Sequence, residues 1–233
     1  MRTFKMILVL SLLASAAIAQ TESVSEVNRL IREYRSIKSI DNAGLAPDIQ
    51  GSPYLTDQYL PSKVYFKDRE KELSTKLRYN AYSNEFEFTL DNQRYVITNK
   101  TEIDSIEHLG HKFVYRTYVD QHGNDQEGFM ARLVDGSCTL YKIYSIEFFE
   151  AEPPQSGYDE AKPARFEEEN PVYSLQCKDD SHPKAIESFR RGKFLNRYGS
   201  LEKELKRYMR DQNIRLYRED DLVQFIRYYN RNY

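Results

Sequence analysis

The sequence predicts an α+β chain that is mainly antiparallel β. The expected form is a curled β-meander or partly open barrel, with short C-terminal helices and a short N-terminal amphipathic helix. Three observations carry this. From about residue 63 apolar side chains recur with period two, the spacing of strands with one covered face. Turn signals such as Ser83-Asn84, Asp91-Asn92 and Asp135-Gly136 punctuate those runs. Beyond about residue 190 the apolar spacing lengthens to the helical period.

The chain opens on a leader. Arg2 and Lys5 precede the apolar run Met6 to Ala19, which ends in the small-x-small triplet Ala17-Ile18-Ala19. At under about 20 residues the run is short for a bilayer span, so residues 1–19 are expected to be a cleaved signal peptide. No Cys follows the run, which removes a lipid anchor on a new N-terminal Cys. No later stretch is apolar for long enough to span a membrane. Residues 20–50 form the next unit, a helix and linker. Within it 22–38 places Val24, Val27, Leu30, Ile31, Tyr34 and Ile37 on one helical face.

Residues 51–190 are the predicted β domain, launched by the turn Gly51-Ser52-Pro53. The hairpin Lys76 to Phe88 sets its pattern. Leu77, Tyr79 and Ala81 share one face; Phe86, Phe88 and Leu90 continue it. Lys76, Arg78 and Asn80 face Glu85 and Glu87 on the other, read as a wet face of cross-strand charge pairs. Further strands are read at "QRYVIT", "EIDSIE", "KFVYRTYV" and "GFMARLV", and "CTLYKIYSIEFF" is read as the longest and central. The Pro- and acid-rich stretch 151–171 is read as a long mobile loop. "VYSLQC" resumes the sheet, with "AIESF" a candidate partner across "KDDSHP". Residues 191–233 are helical and pack on the sheet. Ser200 is a candidate cap for "LEKELKRYMRDQN", and Glu219, Asp220 and Asp221 suit a helix N-terminus.

The composition narrows function. Nineteen Tyr and twelve Phe with no Trp suit pleated, half-buried surfaces. Beyond the leader, 32 basic residues (34 less Arg2 and Lys5) face 36 acidic ones. With no basic run read as gathered on one face, nucleic acid is not an expected partner. Cys138 and Cys177 lie in strand-like runs. Export permits a bond between them, and a free pair stands beside it, because their separation is a property of the fold.

No catalytic set converges. The pair His108 and His111 is broken by Gly110, so exposed turn histidines are read there and no metal site or cofactor is expected. Ser137 lies in a hairpin turn without a nucleophile-elbow pattern. Acid pairs such as Glu85 with Glu87 and Glu147 with Glu150 read as solvated salt pairing. Tyr82, Tyr118 and Tyr141 fall opposite the main apolar stripe and are the candidate ligand-binding residues, as a glycan-stacking surface. Asn99 to Thr101 fits an N-glycan acceptor, and Asp104 to Ile106 resembles a short O-glycan acceptor of exported Bacteroidota proteins.

"GSPYL", the hairpin "KLRYNAYSNEFEF" and the ending "EKELKRYMRDQNIRLYREDDLVQFIRYYN" together resemble a group of uncharacterised exported proteins of Bacteroidota, over about residues 51–230. The resemblance implies an envelope location, periplasmic before extracellular or cell-surface, and assigns no role to any residue. The expected function is that of a non-catalytic exported envelope protein, a binding or structural module for another envelope protein or a surface polymer. A glycan-binding module, or a carboxylate-dependent hydrolase of envelope glycan or peptide, is the alternative.

Overall fold

A computed structural model describes residues 38–39 (backbone only), 49–67, 72–154 and 161–233. The predicted leader, and all of the predicted amphipathic helix but Lys38, lie outside these residues. Eleven strands are described: β1 (Lys38–Ser39), β2 (Leu60–Phe66), β3 (Glu72–Asn80), β4 (Glu85–Leu90), β5 (Gln93–Val96), β6 (Ile103–His108), β7 (His111–Val119), β8 (Asp125–Val134), β9 (Cys138–Phe149), β10 (Arg165–Cys177) and β11 (Lys184–Ala185). Three α-helices follow: α1 (Arg191–Leu195), α2 (Glu202–Asp211) and α3 (Glu219–Asn232). Mostly antiparallel β with C-terminal helices is therefore the architecture.

The strands form one sheet in the order β1-β5-β4-β3-β2-β6-β7-β11-β10-β9-β8. Curvature also brings β8 against β7, antiparallel from Lys112↔Arg132 to Val119↔Asp125. The parallel contact Lys184↔Val119 ties β11 to β7. The predicted meander is thus followed strand by strand through β2–β5 and β6–β10. Its turns use residues that tolerate left-handed backbone: Asp91 (φ 49°) and Asn92 (φ 61°) both have positive φ, as a tight hairpin with right-handed strand twist requires. Gly51 (φ 74°) is held so close to the Phe166 carbonyl that a Cβ would collide with it.

Alternation along β9 separates the cores. Leu140, Tyr144 and Ile146 point to one side, Tyr141 and Ile143 to the other. On the first side lie two large clusters. One is aromatic, built from β2–β9 around Tyr79, Phe86, Phe113 and Phe129, all fully buried. The second joins Leu140 and Leu175 to Leu205, Phe225 and Ile226 of the helices. Within the aromatic core the rings meet edge-on, Phe86 with Phe113 at 5.2 Å and with Phe129 at 5.0 Å, a geometry that complements ring quadrupoles. The opposite side holds the small cluster Val114, Met130, Tyr141 and Ile143.

Five expectations change here. The stretch 151–171 is not all loop: β10 begins at Arg165, Phe166 pairs with Phe148 and Glu168 with Ile146. Three consecutive Glu hid that alternation. β10, at 13 residues, outruns the 12 of β9. Ser200 does not cap α2; the chain reaches that helix through a 3-10 turn, Asn196–Leu201, broken at Gly199 (φ 54°, ψ −120°). His108 is not an exposed turn residue but a strand residue with 1% exposure, because the turn is only Leu109-Gly110. Ser105 of the proposed O-glycan acceptor is fully buried in β6, out of reach of a modifying enzyme.

Candidate functional site

The three tyrosines singled out from the sequence do not share a surface. Tyr82 is 53% exposed in the β3–β4 turn, edge-on to Phe166 at 5.3 Å. Tyr141 is only 4% exposed, in the small cluster that Tyr118 packs against, and its hydroxyl lies 3.5 Å from Gln176 Oε1. Strand parity placed them on one side, but curvature turns that side inward at Tyr141. The geometry removes a three-tyrosine stacking platform.

The charged residues of the first hairpin form an interior network instead of a wet face. Arg78 Nη2 donates to Glu87 Oε2 at 2.7 Å, and the two are 9% and 2% exposed. Residues 49–59 cover them: the Arg78 guanidinium lies 3.6 Å over the Tyr54 ring and 4.5 Å over that of Tyr59. Burial, then the nearby Glu87 carboxylate, push the Tyr54 hydroxyl up to about 12. The pair therefore fastens the entry segment to the sheet. Nearby, His108 Nδ1 lies 2.8 Å from Ser62 Oγ, which donates to the Leu60 carbonyl. Burial lowers the imidazole to about 4. A serine only 6% exposed that spends its proton on the Leu60 carbonyl is built as a structural group.

The helical cap is organised differently. The Cys138–Cys177 disulfide joins β9 to β10 beneath it. Helix α3 is pinned at both ends. At its start Glu219 accepts from Lys142 Nζ and from the Tyr173 hydroxyl, each at 2.7 Å. Burial would raise this carboxyl, but those two donors outweigh it and hold the carboxyl low. At its end Asn230 accepts from Cys138 N–H and donates to the Cys138 carbonyl, each at 2.8 Å. A Cβ on Gly136 would meet that Asn230 amide, so the glycine makes room for the anchor. Between them Leu222, Phe225 and Ile226 are fully buried.

What this rigid cap shows to solvent is positive. Residues 190–233 hold twelve Lys and Arg against six Asp and Glu, and all twelve cations are exposed. Lys203, Lys206, Arg207 and Arg210 recur at i, i+3, i+4 and i+7, one stripe of α2. The opposite side of α2 buries Leu205 and Met209. Among the described residues the only carboxylate paired with this stripe is Asp211, shared by Arg207 and Arg210. Tyr217, 67% exposed, stands between Arg215 and Arg218. The counterweight is the far end of the β9–β10 hairpin, where the described residues 145–154 and 161–169 carry six acids and two bases. There Glu147 and Glu167 are directly opposed and exposed, with Arg165 bonded to Glu167.

A net charge of −2 for the chain thus hides two opposed surfaces, and the reading that no basic run gathers on one face is corrected. The signal was the i, i+3, i+4, i+7 spacing of cations within a helix already legible from its apolar face. Among the described residues no group of His, Cys, Asp and Glu could hold a metal ion, and no helix is long and apolar enough to cross a membrane. Compared with protein-family models, with curated proteins and with solved structures, the chain finds no match.

Proposed function

We propose that the protein is an exported binding module that holds an anionic surface polymer against its helical cap. One observation carries this reading: twelve cations, all exposed, of which, among the described residues, the cap itself engages only Arg191, on the Ile214 carbonyl, Arg197, over the Phe194 ring, and Arg207 with Arg210, on Asp211. Helix α2 does not need four cations on one stripe to fold; like charges at i, i+4 destabilise it slightly. An anionic polymer gains from such a stripe through counterion release and local field. Exposed tyrosine beside the cations adds apolar surface for the faces of sugar rings, which favours a glycan polymer. The leader at residues 1–19 supports export, and the disulfide supports an oxidising location.

Co-sedimentation of the full chain with polygalacturonate, at rising salt, tests this. Binding should fall by roughly tenfold or more between low and physiological salt. The triple variant Lys203→Glu, Arg207→Glu, Arg210→Glu should lose it. Equal binding to polygalacturonate and to neutral dextran, or full binding by the triple variant, would overturn the reading.

A further inference from the structure

Between α2 and α3 runs a groove of about 580 Å³. Its α3 wall includes Asp220, Val223, Gln224, Arg227, Tyr228 and Arg231, positions i, i+3, i+4, i+7, i+8 and i+11 and thus one side of the helix. Tyr208 of α2 lines it from the other wall. The Tyr208 and Tyr228 rings stack at 3.5 Å between centroids, 7° from parallel, and Gln224 Nε2 reaches the Tyr208 hydroxyl at 3.4 Å. Both tyrosines are half-buried, so aromatic surface is offered to the groove and is held in place.

The charge along this wall is ordered. Asp220 stands at one end; Arg227 and Arg231, one turn apart and both exposed, stand at the other. From 220 to 231 the helix rises about 16 Å, the length of about three sugar rings. Neither arginine has an ion-pair partner among the described residues. Two guanidiniums one turn apart present forked donors that match the planar oxygens of a carboxylate or phosphate. Asp220, at the far end, accepts hydroxyl hydrogens and repels a second anion.

We propose that this groove binds a short pyranoside chain bearing one anionic substituent at its end. The carboxylate or phosphate sits between Arg227 and Arg231, a ring lies against Tyr208 and Tyr228, and free hydroxyls meet Gln224 and Asp220. The inference rests on the polymer reading and sharpens it: the α2 stripe holds the polymer's field, and the groove selects its acidic terminus.

The test uses the full chain, with calorimetric titration of three probes. They are a trisaccharide of two neutral pyranosides ending in galacturonate, the same trisaccharide with a terminal phosphate in place of the carboxylate, and the uncharged trisaccharide. The expected result is saturable binding of at least one charged probe, ten-fold or more tighter than the uncharged one. The preferred probe names the anion. Arg227→Gln with Arg231→Gln should erase the difference. Tyr228→Ala should weaken charged and uncharged probes alike. Both arginines are exposed, so the double variant keeps the cap core; Arg227→Lys with Arg231→Lys, retaining charge without the fork, should give an intermediate loss. Equal affinity for all three probes, or no effect of the double Gln variant, overturns the groove. If the α2 triple variant still abolishes polygalacturonate binding in that case, the polymer reading stands without the groove.

Discussion

The sheet and the helical cap deal with charge in opposite ways. In the first hairpin Arg78 and Glu87 are taken inside and bound to each other at 2.7 Å, roofed by Tyr54 and Tyr59. In the cap the core is apolar, from Phe194 through Leu205 to Ile226, and every Lys and Arg of 190–233 is left in water. An interior charge is committed to structure, because removing its partner leaves an ion stranded in a low dielectric. A solvated charge on a pinned helix is uncommitted and available to another molecule. The contrast tells which charged residues hold the protein together and which can serve binding.

The largest expected effect breaks the sheet side of the contrast. Arg78→Met strands Glu87 and should cost about 3–5 kcal/mol of unfolding free energy, read from urea denaturation. Adding Glu87→Leu should return most of that loss. A cost under about 1 kcal/mol for the single change would mean that the pair is solvated after all.

Next comes the cap's covalent anchor. Replacing both Cys138 and Cys177 by Ser should cost about 2–4 kcal/mol. Amide exchange should quicken first in α3 and its Asn230 anchor, while β3 and β4 keep their protection. Uniform quickening would show that the two regions unfold as one.

Acid separates the regions again. The His108 imidazole is lowered from about 6.5 to about 4 by burial. As pH falls below about 6.5 the unfolded chain takes the proton first, so stability is lost down to about pH 4, by about 2–3 kcal/mol. His108→Gln should remove this share of the pH dependence in the 4 to 6.5 window, seen as a flatter denaturation midpoint against pH. An unchanged slope would place the acid sensitivity elsewhere.

The smallest stability effect belongs to the cap surface. Reversing Lys203, Arg207 and Arg210 to Glu should move unfolding by no more than about 0.5 kcal/mol per site while removing polyanion binding. Thermal melts and co-sedimentation on one preparation check both halves. A large drop in melting temperature would return these cations to structure.

Much of this was legible in the chain. Period-two alternation located the strands because apolar side chains gather on one face of each, whether or not the other face is later covered. Turn residues such as Asp91 and Asn92 located the hairpins because few residues accept positive φ. The apolar stripes of α2 and α3 located the helices, and the three acids at 219–221 located the start of α3. The candidate site was less legible. Tyr141 and Tyr82 share a strand-parity argument but not a surface, since parity is local and curvature is not. The groove needed Tyr208 and Tyr228, twenty residues apart, to stack, and α2 and α3 are brought together by the apolar cluster they share with Leu140 of β9 and Leu175 of β10.

The sequence by itself determined the period of each segment, the places where the chain must turn and the face that each helix buries, because those depend on neighbours a few residues away. Only the tertiary structure decided which charges are interior. Glu85 and Glu87 are nearly identical in the sequence, yet the covering segment at 49–59 buries one and leaves the other half exposed. The cost of a charge depends on what lies over it, and that is fixed by distant parts of the chain.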